Sequence, residues 1–173
     1  MKIVNLFSGP GCGKSTTASG LFYSLKSGHA EVEMVTEYAK DMTWERRYNI
    51  LEDQIYVFAK QQRRLGRLKD HGLDWVITDS PIPLGLCYLS PEQDNLYLRE
   101  LVWNVFDSYH NVNFLIERHV PYNPVGRNQN ETEACEIDTT VKHLLLDRQV
   151  PFQTVKGGPG CVEQILECLK KIS

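Results

Sequence analysis

No run in this chain approaches the roughly 18 consecutive apolar residues that a membrane-spanning helix needs, so no membrane role is expected. Repeats and low-complexity tracts are absent, which sets aside solenoid and linker architectures. Cysteine is sparse and unpatterned. Cys12, Cys87, Cys135, Cys161 and Cys168 are odd in number and lack Cys-x-x-Cys spacing, so neither a disulfide framework nor a zinc site is indicated. The histidines (His29, His71, His110, His119 and His143) are scattered and read as surface residues. An excess of positive charge is missing too: the formal net charge is −3, so any contact with nucleic acid has to be local.

What remains is the composition of one domain. At 173 residues and 42% hydrophobic content the chain can cover a sizeable core. Its first residues read as a strand running into a glycine-rich loop instead of a signal peptide. With Cys12 inside that loop, the expectation is a cytoplasmic protein in a reducing compartment.

That strand and loop, residues 2–16, read KIVNLFSGPGCGKST. The glycines Gly9, Gly11 and Gly13 let the chain wrap with its amide N–H groups turned inward toward oxyanions, and the helix that follows presents its positive dipole end. Residues Ser8, Gly9, Pro10, Gly11, Cys12, Gly13, Lys14, Ser15 and Thr16 therefore form a candidate cradle for the phosphates of ATP. Lys14 is placed to reach the β- and γ-phosphates and Ser15 to hold Mg²⁺. One departure exists. The pattern Gly-x-x-x-x-Gly-Lys-Ser/Thr asks for glycine where Ser8 stands, which requires an ordinary backbone conformation there.

Beyond the loop, hydrophobic periodicity predicts a helix over 15–26, a strand over 31–36, helices over 38–47 and 52–69, and a near-continuously apolar strand at Trp75–Thr78. A strand over 113–117, a helix over 131–148, a strand over 152–155 and a helix over 161–171 complete the pattern. Strands separated by helices imply an α/β three-layer sandwich on a five-stranded parallel sheet. The polar, proline-bearing run 119–130 is the longest predicted irregular segment, and such loops tend to lie over a site.

In open α/β sheets ligands sit beyond the carboxyl ends of the strands. Glu37 leaves the second strand, Asp79 the third, and Arg118 the fourth. Asp79 stands where an acid orders Mg²⁺, so Ser15 and Asp79 are the candidate metal residues. For transfer to a hydroxyl, one of Glu37 and Asp79 would accept the proton while the other supports the metal, and the spacing does not say which. Arg118 and Arg127 bracket the irregular segment as lid cations for a charged transition state. On the helix 52–69, Lys60, Arg63, Arg64 and Arg67 share one sector, with Ile55, Phe58, Gln62 and Leu65 on the other side; that sector reads equally as a phosphate-tracking face or a solvated one. The later run Lys156-Gly157-Gly158-Pro159-Gly160 lacks a following Gly-Lys-Ser/Thr and is not a second phosphate loop.

Four segments together carry a resemblance: Asn5 through Thr17, Thr36-Glu37-Tyr38-Ala39-Lys40-Asp41, Ile77-Thr78-Asp79-Ser80-Pro81, and Tyr122-Asn123-Pro124-Val125-Gly126-Arg127-Asn128. They resemble the P-loop kinases of the nucleoside and nucleotide kinase superfamily, and more narrowly the small kinase-like ATPases of tailed bacteriophages. Some members of that phage group look like 5-hydroxymethyluracil DNA kinases. The resemblance implies a single kinase domain over 1–173 with a lid-like loop at about 118–131, and Mg-ATP as donor. It implies a carboxylate near the acceptor, a lid arginine, and backbone contact with adenine after the last strand. The acceptor would be a DNA base hydroxymethyl group or, alternatively, a nucleoside-type small molecule. Unlike thymidylate kinases, the chain has Ser80 and not arginine after the strand-three acid. No Asn-Lys-x-Asp string supports a GTPase, and no glutamate beside Asp79 supports a remodelling ATPase; a non-kinase ATP-binding regulator stays as the rival.

Lys14→Ala is expected to lower phosphoryl transfer by about 10³-fold or more, because it removes the cation that follows charge onto the γ-phosphate. Turnover at saturating Mg-ATP measures it, and an unchanged rate would refute the phosphate-loop assignment.

Overall fold

Strand β1, Lys2–Phe7, is apolar on both faces apart from Lys2 and Asn5, and a strand of that kind is stable only when both sides of its sheet are covered. In the computed structural model, which describes residues 1–172, β1 is the central strand of a five-stranded sheet ordered β2-β3-β1-β4-β5. The other strands are β2 Val32–Val35, β3 Trp75–Thr78, β4 His110–Glu117 and β5 Gln153–Lys156. All pairings are parallel. The helices are α1 Lys14–Ser27, α2 Tyr38–Trp44, α3 Tyr48–Leu51, α4 Gln54–Gly66, α5 Leu96–Asp107, α6 Glu131–Asp147 and α7 Cys161–Leu169, with a 3-10 segment at Ile82–Tyr88. The architecture is the expected α/β three-layer sandwich with helices on both faces, a P-loop kinase fold.

Alternation along β1 divides the core. Ile3 and Phe7 face one layer with Leu115, Trp103, Phe106, Val141 and Leu145. Val4 and Leu6 face the other with Leu21, Ile77, Phe114, Ile116 and Ile165. A buried amide network fixes the register on one side of β1: Asn5 Nδ2 donates to Asn111 Oδ1 and Asn113 Oδ1, each at 2.9 Å, and Asn113 Nδ2 donates to the Pro151 carbonyl at 3.0 Å. A one-residue slip would strand these amides in an apolar layer.

The structure differs from the sequence expectation in several places, among them the short helix α3, which was not predicted. The stretch 82–112 holds the 3-10 segment, α5 and the first residues of β4, none of them predicted. The expected helix 52–69 starts later and ends earlier, with Asp53 accepting the Tyr56 N–H as its cap. Ile55, assigned to the packed side of that helix, is 52% exposed, and Gln54, Gln61 and Leu65 fill the interface instead.

Phe114 is fully buried at the centre of the α1/α7 layer. Phe114→Ala is expected to cost about 3–5 kcal/mol, read as a lower urea midpoint with an unchanged m-value; a loss under about 1 kcal/mol would contradict this packing.

Candidate functional site

The chain leaves β1 toward β2 on one side of the sheet and leaves the neighbouring β3 toward β4 on the other, so the β1–α1 turn lies at the switch point between β1 and β3. Gly11 and Gly13 adopt positive φ of 84° and 88°. A side chain at Gly13 would meet nothing nearby, so its backbone conformation alone calls for glycine. Gly13 is the N-cap of α1 and no side chain caps that end, which leaves the first N–H groups of the helix available to an anion. Ser8 is buried and has no positive φ, the ordinary conformation its place required. Gly9 has no positive φ either. A Cβ there would lie 2.6 Å from Asp138 Oδ1 and 2.7 Å from the Ala134 carbonyl, so glycine is needed for the close approach of α6 and not for the turn.

Lys14 is half-buried, its Nζ donating to the Ser8 and Gly9 carbonyls at 2.9 Å each. The loop's own carbonyls thus fix the ammonium within the loop.

The Ser15 hydroxyl donates to Asp79 Oδ2 at 2.5 Å, joining α1 to the end of β3. Asp79 is 3% exposed, and its Oδ1 is buried with no hydrogen-bond partner. An orphaned carboxylate oxygen is costly unless a ligand completes it. Ser15 and Asp79 fit Mg²⁺, which is commonly bound by one or two protein groups plus substrate phosphates.

Glu37 occupies the N-cap position of α2, yet its carboxylate caps nothing. Gln61, from α4, accepts the Tyr38 N–H at 3.0 Å and donates to the Thr36 carbonyl at 3.4 Å. Gln61 therefore does the capping that would otherwise draw Glu37 away from the crevice. Glu37 lines a cavity of about 870 Å³ together with Lys14, Ser15 and Arg127. Its carboxyl is raised above the ordinary 4.5 mainly by burial, with Lys14 pulling it down and Asp79 pushing it up. Beyond Glu37 the cavity runs between Phe58, Leu84 and Tyr88, with Gln54 and Gln93 among its polar lining groups.

The expected lid segment folds over the loop. Tyr122 packs on Gly11, within 2.8 Å of where a Cβ would be, and its ring lies 5.9 Å from the Arg118 and 5.7 Å from the Arg127 guanidinium. Arg127 donates to the Asn123 carbonyl and, at 3.3 Å, to the Val125 carbonyl. Gly126, with φ 73°, lies against the Trp44 indole. Asn130 and Glu133 form a reciprocal capping box that starts α6.

Arg118 does not line the cavity. Its Nε donates to Asp138 Oδ2 at 2.7 Å and its Nη2 to the Pro10 carbonyl at 2.7 Å. Of the basic sector on α4, Arg64 is committed to Asp41 and to the Thr36 carbonyl at 3.1 Å, and Lys60 stands over the Tyr56 ring. Arg63 and Arg67 stay exposed. Sequence reasoning missed Gln61 and Asp138, because both act across the fold on backbone groups that no local pattern identifies.

A family model described as an AAA domain matches residues 3–162. No curated protein matches the chain. Among solved structures, deoxyadenosine kinase from M. mycoides with products dCMP and a flexible dCDP bound is similar at 18% identity and TM-score 0.63, over 99% of this chain and 100% of that one. The same kinase with bound dATP is similar at 17% identity and TM-score 0.57, over 98% of this chain and 100% of that one. These likenesses establish the fold. No helix among the described residues is long and apolar enough to cross a membrane.

Because Glu37 is raised, the native state holds a proton there more readily than the unfolded chain. The linked stability is complete below the ordinary value of 4.5 and is lost as pH rises through the raised one. Glu37→Gln is therefore expected to raise Tm at neutral pH, with the gain vanishing below about pH 4. An unchanged or lower Tm at neutral pH would contradict the upward shift of the Glu37 carboxyl.

Proposed function

The chain belongs to the AAA domain family matched over residues 3–162, and from that premise we propose that it transfers the γ-phosphoryl group of Mg-ATP to a hydroxyl of a nucleoside-type acceptor. The observation that carries this reading is the convergence of Lys14, Ser15, Glu37 and Arg127 on one cavity that continues into a recess lined by Phe58, Leu84 and Tyr88 together with Gln54 and Gln93. A remodelling ATPase has no need of such a recess; a kinase needs it to hold its acceptor. The whole chain acts as one kinase domain, with 118–131 as its lid.

The donor triphosphate lies along residues 8–16, with the N–H groups of the loop and of the first turn of α1 turned to its oxygens. Lys14 leaves the Ser8 and Gly9 carbonyls for the β- and γ-phosphates. Asp79 and Ser15 hold Mg²⁺, which when bound neutralises charge on those phosphates. The division of labour between the carboxylates follows from their partners. Asp79 is buried and already bonded to Ser15, so it serves the metal. Glu37 is uncapped and open to the recess, and its raised carboxyl makes it the stronger base for the acceptor proton. Arg127 closes on the transferred group from the lid, where a planar guanidinium meets spread charge on the equatorial oxygens. The fold neighbours, crystallised with deoxynucleotides, support an acceptor of that class.

A second reading, a base hydroxymethyl group carried on DNA, is favoured by the rim of the cavity. Trp44 and Tyr48 are 59% and 49% exposed there, on a segment that also carries Lys40, Arg46 and Arg47. Stacking rings interleaved with cations suit single-stranded nucleic acid.

Labelled ATP presented to a panel of nucleosides, nucleotides and unmodified or hydroxymethylated DNA tests these readings. Salt-insensitive phosphorylation of a free nucleoside or nucleotide is the expected result; transfer only to hydroxymethylated DNA, weakening with salt, would favour the second reading. Rapid hydrolysis with no acceptor preference would overturn both. With the active acceptor, Arg127→Ala is expected to lower kcat by about 10²-fold or more with little change in ATP affinity, and Arg127→Lys to rescue poorly. Equal losses in ATP binding and turnover would make Arg127 a ground-state clamp.

A further inference from the structure

The phosphate loop is braced from outside its own β-α unit. Asp138, in the middle of α6, accepts the Gly9 N–H at 2.7 Å and the Cys12 Sγ–H at 3.3 Å on one carboxylate oxygen, and Arg118 Nε at 2.7 Å on the other. Arg118 in turn donates to the Pro10 carbonyl at 2.7 Å. Gly9, Pro10 and Cys12 are thus all tied to one ion pair whose side chains are only 14% and 25% exposed. Arg118 Nη1 is buried without a partner, and a partly buried ion pair of this kind is costly to break from one side.

We propose that Asp138 is a positioning residue for ATP binding: with Arg118 it holds the Gly9–Cys12 arc of the loop in its phosphate-accepting shape, and Arg118 acts through that arc without touching the transferred group. The proposal rests on the phosphate-loop reading of residues 8–16 and is independent of the acceptor. Two further observations support it. Glycine at position 9 is required by the approach of α6, so the loop is shaped around this contact. Burial and the neighbouring Asp138 carboxylate push the Cys12 thiol up to about 11, which keeps it protonated and donating. Because α6 begins where the lid ends, the same brace ties the lid's far end to the loop.

The test uses the whole chain and reads binding without turnover. Asp138→Asn, Arg118→Lys and the double variant are compared with wild type by calorimetry with Mg-ATP, by kcat on the acceptor found active, and by the rate of iodoacetamide alkylation of Cys12, followed on its peptide by mass spectrometry. Asp138→Asn is expected to weaken Mg-ATP binding about tenfold while kcat changes by less than about threefold. Cys12 alkylation at pH 8 is expected to accelerate at least about fivefold, since the thiol loses the carboxylate that keeps it protonated. The double variant is expected to be no worse than the weaker single one, as for residues acting as a unit. ATP affinity within about twofold of wild type, additive losses, or a collapse of kcat at unchanged ATP affinity would each overturn the proposal. Should Asp138→Asn not fold, Arg118→Lys alone carries the same thresholds. Normal Mg-ATP binding by wild type with transfer to no acceptor would defeat the kinase reading and leave this brace testable by calorimetry.

Discussion

The hydrogen bond from Ser15 to Asp79, at 2.5 Å, is the contact on which the rest of the site depends. It links the first turn of α1 to the end of β3, two elements brought side by side only because β1 pairs with β3 in the register that sets Asn5 opposite Thr78. That register is in turn held by a sheet covered on both faces, while the buried Asn5 network fixes β1 against β4 on its other side. Move the strands by one residue and Asp79 no longer meets the helix. The bond also leaves the second Asp79 oxygen buried and unpartnered, a cost that a cation at the proposed metal site would remove.

Around this bond, charges are kept in place by groups that do no chemistry. Gln61 caps α2 so that Glu37 need not. The Ser8 and Gly9 carbonyls hold Lys14 near its working place. Tyr122 sits between two guanidiniums and against Gly11, so lid and loop share one aromatic surface. Trp44, the last residue of α2, meets Gly126 and links that helix to the segment 118–131. Preorganisation of this sort is where electrostatic catalysis gets its advantage over water, because the dipoles need not reorient during the reaction.

The phosphate loop was legible in the sequence because its chemistry is carried by residue types at fixed spacing within one strand-turn-helix. The central strands were legible for a similar reason, being short, continuous apolar runs. Helix α5 was not predicted, although Asn95 caps it and Leu98, Val102 and Phe106 recur at helical spacing. The prolines before it and the exposed Leu96, Tyr97 and Leu101 blur its apolar stripe. Long-range roles left no local trace. Arg118 was expected over the phosphates as a lid cation because it brackets the irregular segment with Arg127. As the residue ending a strand it could equally pair with an acid, and the packing of α6 shows that acid to be Asp138, with the Pro10 carbonyl as a second partner. The basic sector of α4 was read from angular position, which says nothing of the partner that Asp41 supplies to Arg64.

The central claim is that residues 8–16 bind a triphosphate whose metal is held by Asp79. A crystal structure with Mg²⁺ and a non-hydrolysable ATP analogue tests it most directly. The account predicts the triphosphate within the loop, Lys14 Nζ moved from the Ser8 and Gly9 carbonyls to the phosphates, and Mg²⁺ beside Ser15 and the formerly unpartnered oxygen of Asp79. A nucleotide bound elsewhere, or a loop-bound triphosphate with Lys14 still on those carbonyls and no metal beside Asp79, would contradict it.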